Sequence, residues 1–217
     1  MRTDRVVGSA VVSVGVLMGA SPAAVGQYYE GFQEGLGGWG SIPVDVNHVS
    51  AGGALGAADG YMEVVAELED SYLTRITSGA LTGATGDYVA MGIMSVSFAL
   101  NELAVDEGLT IHLGFGNPDN FWITRVAFDA DADTWSFYTV DFVESEFVQV
   151  IGEASFEDAL SAVNRLQFRY HDATIQSIPD SAVGAIGVDE VRLIVPGVGS
   201  SAAFALAGAL GLRRRRW

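Results

Sequence analysis

The sequence predicts an all-β, two-sheet antiparallel sandwich, and three observations carry that expectation. Apolar and polar residues alternate in short runs, glycine makes up 27 of the 217 residues, and no stretch of the domain keeps a helical period. Glycine supplies tight turns and weakens helices, and many short strands joined by Gly-rich turns bury their apolar faces against a second sheet. A chain of this length buries a sizeable core within one domain.

The strands follow in order. Met94, Val96, Phe98 and Leu100 alternate with Ser95, Ser97 and Ala99, and Leu109, Ile111, Leu113 and Phe115 alternate with Thr110, His112 and Gly114. Each run therefore has one buried and one open face. Residues 121–128 and 134–142 are strand-like and are joined by Asp129-Ala130-Asp131-Ala132-Asp133, which predicts a hairpin with an acidic loop. Ser155, with Asp158 three residues later, forms a capping pair ahead of Ala159, Leu160 and Val163, so a short helix is expected there. Leu166, Phe168 and Tyr170 alternate with Arg165, Gln167, Arg169 and His171. Residues 187–195 close the domain as a strand with Val191, Leu193 and Val195 on one side.

Charge and composition exclude several classes. There is no cysteine, so a disulfide framework and a thiolate-bound metal are ruled out. The formal charge is −16, and residues 27–195 hold five arginines, no lysine and 26 acids, a formal −21. Nucleic acid is not an expected partner, because phosphate binding needs clustered basic side chains.

Both ends read as addresses. Arg2 and Arg5 precede an apolar run over 6–18, and Ala24 and Gly26 stand at the −3 and −1 positions of a cleavage site before Gln27. This is the layout of a secretory signal peptide over 1–26, with a signal helix. At the other end, Val195-Pro196-Gly197 leads into a small-residue apolar run over 198–212 and then Arg213–Arg216 and Trp217. A short hydrophobic helix with a cationic stop predicts a membrane anchor over 196–217. This tail resembles the C-terminal sorting signal of the PEP-CTERM/exosortase class of exported bacterial proteins, with Val195-Pro196-Gly197 in place of the Pro-Glu-Pro element. The resemblance implies a sorting enzyme of exosortase type as a partner and membrane attachment through the tail before processing. It places the protein in the cell envelope or outside the cell.

The phrase Glu30-Gly31-Phe32-Gln33-Glu34-Gly35-Leu36-Gly37-Gly38-Trp39 resembles the opening of bacterial jelly-roll modules, and Val188-Asp189-Glu190-Val191-Arg192-Leu193 is similar to their closing strand. Carbohydrate-binding modules and laminin-G-like domains share these phrases. The resemblance implies a jelly-roll over 27–195 whose terminal strands lie side by side. It also implies a structural calcium ion shared by an acid of the opening phrase and an acid of the closing strand. The matching positions are Gln33 or Glu34 and Asp189. Calcium takes six to eight oxygens, so carbonyls near 53–59 would have to help.

A polysaccharide site is the second candidate. Sugars stack their apolar faces on aromatic rings and give their hydroxyls to polar side chains. His112, Arg169 and His171 lie on faces turned from the core, and Trp122 and Tyr138 are the aromatics placed to join them. The alternating Asp129, Asp131 and Asp133 lack the glycine and terminal glutamate of a calcium loop and read as a charged turn. Gly35, Gly37 and Gly40 satisfy G-x-G-x-x-G with no strand before and no helix after, which again reads as a turn. No G-x-S-x-G, H-E-x-x-H or P-loop is present. The sequence thus predicts an exported, non-catalytic sandwich that binds polysaccharide. The alternatives are a glycan-cleaving enzyme on the same scaffold and a purely structural surface protein.

Overall fold

The strand around which the first sheet is built is the last one, β13 (Gly184–Ile194). Along one side it pairs with β6 (Ser95–Val105), which in turn pairs with β10 (Ser136–Asp141). Its other side is divided. The first half pairs with β4 (Tyr61–Ala66), itself flanked by β3 (Asp45–Val49), and the second half pairs with β1 (Gly26–Glu30). Asp189 and Glu190 fall between those two pairings, where the β6 register also shifts. The chain is described here by a computed structural model, which covers residues 26–40, 45–66, 76–78, 82–105, 110–132, 134–171, 175–178, 180 and 183–196. The segments expected to be a signal peptide (1–26) and a sorting tail (196–217), apart from Gly26 and Pro196, lie outside the described residues.

The second sheet has the order β11-β8-β7-β12-β5-β2. These are Phe147–Ile151, Asn120–Thr124, Thr110–Asn117, Arg165–Tyr170, Ile76–Ser78 and Trp39–Gly40, and β9 (Phe128–Asp129) adds to β7. The named strands pair antiparallel in both sheets, as the sequence predicts for this sandwich.

The core lies between the sheets. Val96, Phe98 and Leu100 of β6 and Ile186, Val188, Val191 and Leu193 of β13 meet Ile111, Leu113 and Phe115 of β7 and Leu166 and Phe168 of β12. The Phe98 and Phe168 rings close the gap edge to face with centroids 4.9 Å apart, a preferred arrangement for aromatic pairs. The bulge at Asp189 and Glu190 lets both halves of β13 point inward, since one extra residue restores the alternation. Tyr28 opposite Leu193 and Glu30 opposite Val191 put the two terminal strands side by side.

The expected hairpin of 121–128 with 134–142 is corrected by the structure. β8 pairs with β7 and β11, whereas β10 pairs with β6 in the other sheet, so the chain crosses between sheets around the acidic segment. A tighter connection had already taken one side of β8. The Asn117 side chain accepts from the backbone N–H of Asp119 at 2.9 Å and of Asn120 at 3.0 Å, closing a β7–β8 turn. Gly116 sits at φ +132, where a Cβ would fall 2.2 Å from the Asn120 carbonyl oxygen.

The helix expected after Ser155 is α2 (Phe156–Ser161), following a single turn at α1 (Tyr88–Met91). Ser155 Oγ accepts from Asp158 N at 3.1 Å, and Asp158 Oδ2 accepts from Ser155 N at 3.1 Å. Replacing Ser155 by alanine removes one half of this reciprocal cap and is expected to lower stability by about 1 kcal/mol. Urea denaturation would show the change as a shifted midpoint with an unaltered slope.

Candidate functional site

The break between β1 and β4 on the flank of β13 gathers three carboxyl groups. Asp59, Asp189 and Glu190 each bring an oxygen within 4.8 Å of the others, and Asp189 and Glu190 are 0% and 4% exposed. Loop 50–60 folds over this gap. Ala54 N donates to Asp189 Oδ2 at 2.8 Å, Leu55 N to Asp59 Oδ2 at 2.6 Å, and Glu190 N to Asp189 Oδ1 at 2.7 Å. Gln33 Nε2 donates to Asp59, and Tyr29 Oη and Arg192 Nη2 donate to the two oxygens of Glu190.

The backbone is held in sparsely populated conformations on both sides of the cluster. Phe32 and Glu190 have φ of +50 and +54 without being glycine, an arrangement that persists only where surrounding contacts fix it. Gly53 is needed for a different reason. A Cβ there would lie 2.6 Å from the Gly60 carbonyl oxygen, 2.7 Å from Asp189 Oδ2 and 2.8 Å from Asp59 Oδ2. Burial pushes the Asp189 carboxyl up to about 7; the two backbone N–H donors oppose the shift and the neighbouring Asp59 charge adds to it.

This donor set is of the kind a hard cation takes. Three carboxyl groups each bring an oxygen within 4.8 Å of the others, and calcium accepts such oxygens in flexible numbers. Of the positions expected to hold calcium, Gln33 and Asp189 stand in or against the cluster. Glu34 is exposed and lines a pocket beside the cluster with Tyr29, Glu30, Gln33 and Gly37. Asp59 and Glu190 complete the group and were not among the expected ligands. The signal for Asp59 was present in the Gly52-Gly53 and Asp59-Gly60 pairs, whose small residues allow the loop to approach a buried acid.

His112, Arg169 and His171 do come together. Arg169 pairs with His112 across β12 and β7, and the two imidazole rings are 5.6 Å apart. They stand on the outer face of the second sheet, beside Phe121, over whose ring Arg169 stacks at 5.3 Å. The three are 6%, 2% and 1% exposed, so this face is not open. Arg169 Nη2 donates to the Ser177 carbonyl at 2.7 Å, and Asp180 N to the Tyr170 carbonyl at 3.2 Å, which draws the connector after β12 across it. His112 Nδ1 lies 2.7 Å from the Thr124 carbonyl.

Trp122 and Tyr138 do not join them. Trp122 faces the core, with its ring 5.1 Å from Phe156 and its Nε1 donating to Asn120 at 2.9 Å. Tyr138 belongs to the other sheet and packs on Phe98 and Phe128. The parity of β8 was unreadable because both its faces are apolar: Phe121 and Ile123 point one way, Trp122 the other, and all three are buried. Asp129 and Asp131 serve local bonds, the first through its carbonyl to Tyr138 Oη and the second through its carboxylate to Ser136 Oγ at 2.7 Å.

On the outer face of the first sheet Trp135 packs edge to face on Tyr61 at 5.3 Å and donates to the Gly52 carbonyl at 3.0 Å. Beside it runs a groove of about 630 Å³ lined by Tyr29, Leu55, Ser97, Phe137, Glu190 and Arg192, among others.

No family model matches the chain, and no curated protein matches it by sequence. Solved structures do match. The family 11 carbohydrate-binding module of a cellulosomal cellulase of Clostridium thermocellum aligns with a TM-score of 0.51 at 18% identity, over 80% of this chain and 97% of that one. The family 11 module from the same organism in complex with a β-1,3-1,4-mixed-linked tetrasaccharide gives 0.50 at 17% identity, over 79% and 97%. An endo-1,4-β-D-xylanase of C. thermocellum, solved as CBM22-1 and GH10 modules with xylohexaose, gives 0.51 at 15% identity, over 79% of this chain and 29% of that one. At these identities the likeness is one of fold: the chain is a two-sheet jelly-roll sandwich of the kind found in carbohydrate-binding modules.

Proposed function

We propose that this protein is an exported, non-catalytic polysaccharide-binding module of the cell envelope or extracellular matrix. The observation that carries the reading is the architecture: nearly the whole of a carbohydrate-binding module finds its counterpart in this chain. The signal peptide over 1–26 would deliver it across the membrane, and the tail over 196–217 would hold it there until an exosortase-type enzyme acts. Calcium is the cation proposed for Asp59, Asp189 and Glu190, where it would lock loop 50–60 onto β13.

The acidic surface fits this setting. A formal −21 over residues 27–195 keeps copies apart and gives no attraction to anionic partners. Binding of the purified chain to a glycan array, run with calcium and again with a chelator, tests the function. Selective retention on one or a few polysaccharides is the expected result. Silence under both conditions would remove the binding reading and leave a structural surface protein.

A further inference from the structure

We propose that the open groove on the outer face of the first sheet is the contact site for an uncharged polysaccharide chain, an inference that rests on the polysaccharide-binding reading above. Three strands supply one row of its floor. Tyr29 of β1 lies opposite Arg192 of β13, and Arg192 opposite Ser97 of β6. Two steps between neighbouring strands make this row about 10 Å long, and Phe137 of β10, paired with Ala99, flanks it and lengthens the floor.

The side chains of the groove have the chemistry of sugar recognition. Tyr29 and Phe137 are 48% and 60% exposed and offer ring faces for stacking. Two such large exposed aromatics on one sheet face need a reason in a soluble domain. The Arg192 guanidinium lies 4.4 Å over the Tyr29 ring, and the buried Glu190 carboxylate accepts from both residues. This triad fixes one aromatic platform and one planar donor before any ligand arrives, which reduces the ordering cost of binding. Ser97 adds a hydroxyl at the centre, and Leu55 forms a wall whose backbone is pinned by its 2.6 Å bond to Asp59.

Charge decides the ligand class. Arg192 is neutralised by Glu190 within the groove, and the domain around it is strongly acidic. An anionic polysaccharide and a second copy of the chain are both repelled at long range, while an uncharged polymer is not. On the second sheet His112, Arg169 and His171 are buried, so their polar groups are not presented to a ligand in the same way.

Affinity electrophoresis of the full chain through mixed-linkage β-glucan, neutral xylan and alginate tests the site. The wild type is expected to be retarded by at least one neutral polymer and not by alginate. Phe137→Ala should weaken that binding about tenfold, the loss of one stacked ring, with the melting temperature unchanged because the side chain is exposed. Phe137→Tyr should keep the affinity, and Val126→Ala, also exposed but not lining the groove, should not alter it. Full retention by Phe137→Ala would overturn the groove while leaving the polysaccharide function standing. Preference for alginate would overturn the ligand class. No retardation of the wild type by any polymer would overturn the function and the groove together.

Discussion

Excess calcium is expected to raise the melting temperature by about 5–10 °C, and a chelator should cancel the gain. The size follows from mass action. A ligand at a hundred times its dissociation constant stabilises the folded state by about 2.7 kcal/mol, and a domain of this length gains about 2–4 °C for each kcal/mol. Without a cation, three carboxyl groups share a desolvated gap, and among the described residues their donors are the N–H groups of Ala54, Leu55 and Glu190 and the side chains of Gln33, Tyr29 and Arg192. Because Asp189 keeps its proton up to about pH 7, calcium and the proton compete for it. The gain should therefore be larger at pH 8 than at pH 6. Asp189→Asn should abolish the calcium response. Identical melting of the wild type in calcium and in chelator would dismiss the cation.

The same gap shows what a sequence can and cannot disclose. β6, β7 and β12 were legible because each carries a clean two-residue period with one face in the core, as in Val96-Phe98-Leu100 and Leu166-Phe168-Tyr170. The second half of β13 was legible through Val191 and Leu193, beyond its bulge. α2 was legible because Ser155 and Asp158 cap each other locally. Asp189 was legible through its place in the closing phrase. Asp59 was marked only by its neighbouring glycines, because its meeting with Asp189 depends on loop 50–60 folding over β13, a contact between residues far apart in sequence. The route of β10 was hidden for a related reason: apolar runs flanking an acidic loop look alike whether they pair or separate. The turn Asn117-Pro118-Asp119-Asn120 held the better hairpin signal in its asparagine side chain. The groove residues Tyr29, Phe137 and Arg192 come from three strands, and no spacing in the sequence announces their common groove.

Acid should weaken the protein through a different part of the sandwich. Burial holds the His171 imidazole down at about 4 from an ordinary 6.5, with help from the charge on Arg169 and from His112; Asp180 opposes it from 3.7 Å away. His112 is shifted in the same direction, again chiefly by burial. A histidine kept neutral in the fold binds its proton only after unfolding. Its contribution to stability is therefore complete above about pH 6.5 and is lost as pH falls toward 4. For His171 about 3 kcal/mol at pH 4 is the upper bound, and solvent screening lowers it. Acid also relieves repulsion among the 26 carboxyl groups of residues 27–195 and discharges Asp189, so the wild-type curve alone mixes opposing effects. The comparison with His171→Gln separates them, since the amide does not titrate. Urea midpoints at pH 7 and pH 4 should fall more steeply for the wild type than for the variant, by an amount matching the His171 share. Parallel loss in both proteins would mean that the imidazole is already reached by water and protonates as freely in the folded chain as in the unfolded one. The second sheet's outer face would then be open to ligand after all, and the search for the sugar site would have to return to it.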